Sequence, residues 1–156
     1  MPQFAFVKDI KSLNTNGGAY NTAGTWVTRD LNTLITNVTW CTLASNQITL
    51  QPGNYLINAS SPTYGITNHK INLYNVTSGN IVGMGVNMQS QVSGMVDTVN
   101  SQSFSNLTTY VNITVPSVFE VQHIGDIVNT NSNALGLSNG LGTSEIYTQM
   151  SIARTF

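Results

Sequence analysis

The sequence predicts an all-β protein, built as an antiparallel sandwich or a jelly roll. Short apolar segments recur with turn-forming residues between them, at intervals of about 8 to 14 residues. No segment shows the 3.6-residue periodicity of an amphipathic helix. Asn, Thr and Ser supply 55 of the 156 residues, and these types favour turns and hydrogen-bonding strand surfaces. The length fits one domain, which we place at 19–156 after an N-terminal arm at 1–18.

The predicted arm combines a short strand-like segment with a turn-rich end. Phe4 and Phe6 alternate with smaller residues, Lys8 and Lys11 add charge, and turn-forming residues follow at 14–18. Such a segment either folds against its own domain or extends and pairs with another protein by strand addition. A partly frayed terminus is the third possibility.

The domain is predicted to contain a succession of short strands. The segment at 31–38 is rich in Thr and Asn and forms either a strand or an extended crossing. A hairpin turn is expected at 78–80, a polar loop at 90–100 and the longest loop at 129–142. The predicted strands are 25–29, 31–38, 40–43, 47–50, 54–64, 69–76, 81–88, 104–115, 119–123 and 145–152.

The strand that follows the Pro52-Gly53 turn has two faces of different character. Successive strand side chains point to opposite sides of a sheet. The two faces are Tyr55, Ile57 and Ala59 on one side, and Leu56, Asn58 and Ser60 on the other. The first set is typical of a core. The second is neither strongly apolar nor charged, and alternation alone does not distinguish contact with water from contact with a partner.

Charged residues are scarce, which excludes several classes of function. They make up 7% of the chain, against about 25% in ordinary soluble domains. The net charge is −1 and the basic residues are scattered, so we expect binding neither to nucleic acid nor to an anionic membrane. A nearly neutral surface resists association poorly, which favours self-assembly.

A single cysteine, Cys41, rules out a disulfide within the chain and a thiolate metal cluster. We expect Cys41 to be a small buried apolar residue beside Trp40 and Leu43. The N-terminus lacks the basic and apolar regions of a signal peptide, and no stretch approaches the length of a membrane span. The chain is therefore expected to be made in a cytoplasm.

No catalytic or cofactor site is predicted. Residues 136–140 match the G-x-S-x-G pattern of a hydrolase nucleophile, but they lie within a Gly/Asn loop, and both histidines precede them. His69 and His123 lie on alternating strands and are expected to be hydrogen-bonded at the edge of the core. With a carboxylate such as Glu120 they could bind a metal, but no spacing in the sequence supports this.

Several stretches together resemble a known group of proteins. The stretches are 24–33 (GTWVTRDLNT), 46–50 (NQITL), 53–57 (GNYLI), 61–64 (SPTY) with His69, 119–123 (FEVQH) and 145–148 (EIYT). This pattern, which covers about residues 20–153, resembles the tumour-necrosis-factor-like jelly roll of complement globular heads, in the form found in phage and viral structural proteins.

The resemblance implies a homotrimer, in which one sheet of each subunit faces the threefold axis. Carried over to this chain, the trimer interface would consist of Leu56, Asn58, Ser60, Tyr147, Gln149 and Ser151. The sandwich core would then be filled by Tyr55, Ile57, Ile146, Met150 and Ile152. Amides and hydroxyls on the axis could pair with their symmetry mates, whereas charges would be costly to bury there.

The function that the resemblance implies is non-enzymatic and viral. We expect a capsid decoration protein on the virion surface, with the major capsid protein as partner and Phe4, Phe6, Lys8 and Lys11 of the arm in contact with it. One alternative is a trimeric receptor-binding tip that uses the loops at 90–100 and 129–142. Another is a soluble trimeric carbohydrate-binding module, in which Trp26, Trp40 and Tyr64 stack on sugars.

Overall fold

A computed structural model describes residues 3–89 and 101–155, and the loop expected at 90–100 lies outside them. Within the described residues the secondary structure is entirely β. No helix in that part of the chain is long and apolar enough to cross a membrane. The strands are β1 (Gln3–Lys11), β2 (Val27–Thr28), β3 (Thr33–Thr36), β4 (Cys41–Ala44), β5 (Gln47–Leu50), β6 (Gly53–Tyr64), β7 (Asn68–Asn75), β8 (Asn80–Met84), β9 (Met88–Gln89), β10 (Gln102–Ile113), β11 (Ser117–Gly125) and β12 (Glu145–Thr155).

The strands form two antiparallel sheets that pack face to face. The five-stranded sheet has the order β10-β6-β12-β1-β3. The seven-stranded sheet has the order β4-β5-β11-β7-β8, with β2 paired to β11 and β9 paired to β7. Strands distant in sequence are neighbours in both sheets, as in a jelly roll. The predicted all-β antiparallel sandwich is confirmed.

The core lies between the two sheets and is lined by alternate residues of the long strands. On β6 the predicted core residues Tyr55, Ile57 and Ala59 all point inward and are buried. Cys41 is buried in the same cluster beside Trp40, as expected. Burial raises the pKa of the Cys41 thiol to about 11, so this residue is a protonated, apolar part of the core at neutral pH.

The segment predicted to be an arm is largely an internal strand. Residues 3–11 form β1, which pairs with β12 on one side and β3 on the other. Ala5 and Val7 alternate with Phe4 and Phe6, point inward and are fully buried. The prediction of an arm rested on Phe4 and Phe6, which point outward. The placement of a separate arm at 1–18 is therefore corrected, since β1 belongs to the domain.

Residues 12–18 are also held to the domain, through the loop that precedes β12. The backbone N–H of Gly17 donates to the carbonyl of Gly136 at 2.8 Å, and that of Gly18 donates to the carbonyl of Ser132 at 2.7 Å. A deletion of residues 1–18 would thus remove a sheet strand and the partners of this loop.

Gly136 is expected to tolerate no side chain. Its φ of +139° disfavours other residues, and an added Cβ would overlap the ring of Tyr147. We expect Gly136→Ala to lower the free energy of unfolding by about 2–4 kcal/mol in urea denaturation, since strain and overpacking add. Gly142 is the matched control, because its φ is +78° but nothing lies within 4 Å of an added Cβ. Equal losses in the two alanine variants would show that the Tyr147 contact contributes nothing.

Candidate self-association surface

Side chains of four adjacent strands form three aligned rows on the outer side of the five-stranded sheet. Residues opposite each other in the register point to the same side of a sheet. The rows, in the order β1, β12, β6, β10, are Lys8, Gln149, Ser60 and Asn106; Phe6, Ser151, Asn58 and Thr108; and Phe4, Ala153, Leu56 and Tyr110. We call these twelve residues the outward face.

One end of the outward face is apolar and unusually exposed. Tyr110 is 59% exposed, Phe4 45%, Phe6 43% and Leu56 40%. Ile35 on β3, opposite Phe6 in the register, is 51% exposed and extends the same region. A contiguous group of large exposed apolar side chains on a folded domain is typical of a surface that contacts another protein.

The other end of the outward face is polar but almost free of charge. Lys8 is the one ionised residue among the twelve. The Thr108 hydroxyl donates to Oδ1 of Asn58 at 2.7 Å, which leaves the Asn58 amide nitrogen as a donor. Hydroxyls and amides of this kind can pair with a second protein surface without the desolvation cost of burying charges.

Five of the six predicted interface residues lie on the outward face. In the register Gln149 is opposite Ser60, and Ser151 is opposite Asn58, so the strands β6 and β12 bring the two predicted sets together. Leu56 lies one row further along. Their contact with a second copy of the chain stays a prediction.

Tyr147 is not on this face, and the prediction for it is corrected. Its side chain is 2% exposed, and its hydroxyl donates to the carbonyl of Thr15 at 2.7 Å. Ile146, which was expected in the core, is 44% exposed instead. At the N-terminal end of β12, inward and outward side chains are therefore exchanged relative to the prediction.

A β-bulge causes the inversion. Lys8 pairs with Gln149 and Ile10 pairs with Ile146, so one residue of β1 faces two residues of β12. The two residues are Tyr147 and Thr148, and both are buried. A bulge of this kind shifts every side chain before it to the opposite face.

The residues predicted to contact a capsid separate into two groups. Phe4, Phe6 and Lys8 belong to the outward face. Lys11 instead contacts Asp9 at 3.1 Å and Asp30 at 2.7 Å. The same outward face cannot serve both a threefold contact and a capsid contact, so the two predictions compete for Phe4, Phe6 and Lys8.

The two histidines meet inside the sandwich. Their ring centroids are 5.5 Å apart, and Nε2 of His69 lies 2.8 Å from the Ser103 hydroxyl. His123 is fully buried, and neither of its ring nitrogens has a hydrogen-bond partner among the described residues. The expectation of a hydrogen-bonded histidine at the core edge thus fits His69 and is corrected for His123.

Both imidazoles are held neutral by their surroundings. Burial, with Arg29 nearby, lowers the pKa of His69 to about 4, and an Asp126 contribution partly opposes this. Burial, then Arg29 and His69, lowers the pKa of His123 to about 2. Neutral imidazole is the form that binds metals. However, Glu120 accepts hydrogen bonds from Gln47 and Gln122 on the other side of β11, and residues 3–89 and 101–155 contain no cluster of three or more metal-binding side chains.

Arg29, counted among the scattered basic residues, is almost completely buried. Its guanidinium donates to the Thr148 hydroxyl at 3.0 Å, to the carbonyl of Pro62 at 3.2 Å and to the carbonyl of Leu135 at 2.7 Å. Burial lowers the pKa of Arg29 to about 10, opposed by Asp9 and Asp30, and it remains charged at neutral pH. Arg29 therefore joins β6, β12 and the loop at 129–142.

The G-x-S-x-G match at 136–140 belongs to a structural loop. Glu145 accepts hydrogen bonds from the backbone N–H groups of Asn14, Asn139 and Gly140, at 3.1, 3.2 and 3.1 Å. Burial acts to raise the pKa of Glu145, but these three N–H groups hold it below its usual value. The Ser138 N–H donates to Oδ1 of Asn16 at 3.0 Å. No helix follows, so the geometry is not that of a nucleophile elbow.

One of the aromatic residues considered for sugar stacking is buried. Trp40 is 5% exposed, donates from its indole nitrogen to Oε1 of Gln3 at 2.9 Å and packs against Tyr55. Trp40 is therefore a core residue, and its ring is not a platform for a sugar.

Comparisons with known proteins support the fold. No protein-family model matches the chain, and no curated protein matches its sequence. A crystal structure of murine APRIL at pH 5.0 is similar, with 7% identity, a TM-score of 0.61 and coverage of 99% of this chain and 100% of that one. A structure of murine APRIL at pH 8.0 has 9% identity, a TM-score of 0.56 and the same coverage. At such identities the similarity shows the fold alone, and the predicted tumour-necrosis-factor-like jelly roll is confirmed.

Proposed function

We propose that the chain is a non-enzymatic structural protein that assembles as a homotrimer through its outward face. The observation that carries the proposal is the combination on this face of four exposed large apolar side chains with a single charge. Each of these side chains exposes about half of its surface, so burial of each contributes on the order of 1 kcal/mol. The trimeric state itself comes from the resemblance to tumour-necrosis-factor-like proteins.

In this trimer Phe4, Phe6 and Lys8 lie between subunits, and Ile146 replaces Tyr147 as a candidate at the edge of the contact. The remaining candidates for the contact are unchanged: Leu56, Asn58, Ser60, Gln149 and Ser151. The seven-stranded sheet and the loops between strands stay open to solvent and to other partners.

Two substitutions at the centre of the outward face test the assembly. We expect Asn58→Asp and Ser151→Asp each to weaken trimer association by about 100-fold or more, since three like charges would meet in the central row of the outward face. Sedimentation velocity at micromolar concentration measures this. Asn80→Asp, at the exposed start of β8 in the other sheet, is the matched control and should stay trimeric. If both outward-face variants remain trimeric, the outward face is not the interface.

The specific role that we propose for the trimer is decoration of a viral capsid. Its support is the resemblance to phage and viral structural proteins and the nearly neutral composition. Because the outward face is assigned to the trimer, the contact with the major capsid protein must use another surface. The virion surface is the proposed location.

Copy number distinguishes decoration from a receptor-binding tip. Quantitative mass spectrometry of the purified particle should find hundreds of copies of this chain for a decoration protein. A few to tens of copies per particle would contradict decoration and favour a tip at which the loop at 129–142 meets a receptor.

A further inference from the structure

We propose that the trimer binds one oxyanion on its threefold axis, through Lys8 of each subunit. This inference rests on the proposed trimer, whose outward face it concerns. Lys8 lies next to the central strand β12 of the sheet, opposite Gln149 in the register. In the trimer that we propose, the axis passes beside β12, so the three Lys8 side chains approach one another.

Lys8 has no counter-charge within the described part of its own chain. The carboxylates of Asp9 and Asp30 contact Lys11, and that of Glu145 accepts three backbone N–H groups. The remaining described carboxylates are equally engaged: Glu120 with Gln47 and Gln122, and Asp126 with Asn68. Asp9 also lies on the inner side of β1, where it is 1% exposed. The outward face of a second copy, as the described residues form it, thus offers Lys8 no carboxylate.

The side chains around Lys8 are suited to an anion. A shallow depression on the outward face has Phe6 on its apolar side, and Lys8 faces the polar groups of Asn58, Ser60, Gln149 and Ser151 in its lining. The side-chain oxygen Oδ1 of Asn58 already accepts the Thr108 hydroxyl, so the side-chain nitrogen Nδ2 is the group left to donate. An ammonium group with hydroxyl and amide donors, and no carboxylate, is a donor set that favours phosphate or sulfate.

Enclosure in the trimer favours an anion at this position. Three ammonium groups brought together out of water repel one another, and a multivalent anion between them replaces repulsion by charge-assisted hydrogen bonds. The anion is then bound by the trimer and absent from the separated subunits. Its concentration would control assembly, because a ligand that binds one state alone stabilises that state.

Inorganic sulfate and phosphate are the probes for the test. Sedimentation velocity of the full chain is run in sodium chloride and in sodium sulfate at equal ionic strength and pH, so that general screening is matched. We expect sulfate to lower the trimer dissociation constant of the wild type at least tenfold. Lys8→Gln should be trimeric in chloride alone and should lose that response. Lys70→Gln, a half-buried lysine on β7 of the other sheet, is the control and should keep it.

Stoichiometry provides a second measurement. Equilibrium dialysis with labelled phosphate should find one anion for every three chains in the wild type and none in Lys8→Gln. Equal sulfate responses of the wild type and Lys8→Gln, or one anion per chain, would overturn this site and leave the trimer intact. A wild type that is monomeric in every buffer would overturn the trimer and the site together.

Discussion

Replacement of Arg29 by methionine is expected to lower the free energy of unfolding by about 3–5 kcal/mol, close to the effect of breaking a buried ionic interaction. Methionine retains much of the side-chain length but donates no hydrogen bond. The carbonyl oxygens of Pro62 and Leu135 and the hydroxyl of Thr148 would each lose a donor. An unsatisfied buried polar group costs about 1–3 kcal/mol. Burial of the Arg29 charge is itself costly, so removing that charge offsets part of the stability lost with the hydrogen bonds.

Urea denaturation of Arg29→Met against wild type measures the effect. Arg29→Lys should be destabilised nearly as much, because an ammonium group cannot reach three acceptors in the geometry of a planar guanidinium. The control is Arg154→Met, whose guanidinium donates to the carbonyl of Pro52 at 2.7 Å on the surface and whose loss should cost less than about 1 kcal/mol. A variant at Arg29 within 1 kcal/mol of wild type would contradict the role of this network.

Hydrogen exchange adds a local readout. Since Leu135 connects the loop at 129–142 to Arg29, the amides of this loop should lose protection in Arg29→Met before those of β6 do. Uniform loss of protection across the domain would indicate general destabilisation and no specific release of the loop.

The alternation of β6 was predictable because the two-residue period of its side chains is not interrupted. Tyr55, Ile57 and Ala59 form one buried series, and no bulge interrupts the pairing of β6 with β10 over twelve residues. Period 2 assigns each residue to a face, but it does not say which strands become neighbours. The three rows of the outward face require β12 to lie between β6 and β1, a pairing between distant parts of the chain.

The N-terminal end of β12 was not predictable by alternation because of the bulge at Tyr147 and Thr148. No glycine or proline marks that position in the sequence. Its reason lies in the buried polar network, since Thr148 accepts from Arg29 and also lies 3.0 Å from the Ser61 hydroxyl. Keeping Thr148 inward requires two consecutive buried residues. Nothing in the sequence around Arg29 indicates that its side chain will be buried against Pro62 and Thr148.

Acid is expected to destabilise the domain steeply below pH 6.5, through His69 and His123. Unfolded histidine has a pKa of about 6.5, whereas burial beside Arg29 lowers the folded pKa values to about 4 and about 2. Below pH 6.5 the unfolded chain therefore binds more protons than the folded one, and stability falls as the pH falls. Two such groups change the free energy of unfolding by up to about 2.7 kcal/mol per pH unit, or roughly 4–5 kcal/mol between pH 7 and pH 4.5.

The charged groups around His69 and His123 do not offset this loss of stability. Arg29 opposes protonation of both rings, and Asp126 favours it weakly at His69 alone. The Glu145 carboxylate, whose folded pKa is lowered, loses its contribution only as the pH falls below the pKa of an unfolded glutamate, near 4.3. The decline between pH 6.5 and pH 4.5 thus belongs mainly to the two histidines.

His123→Phe separates this effect from other acid effects. Phenylalanine keeps an aromatic ring against Tyr20 and removes no hydrogen bond of the described residues, because both ring nitrogens of His123 are unpartnered. We expect the variant to be at least as stable as wild type at pH 7 and to lose about half as much stability by pH 4.5. Urea denaturation at a series of pH values measures both. Parallel pH profiles for the wild type and His123→Phe would mean that His123 is not the group that takes up the proton on unfolding.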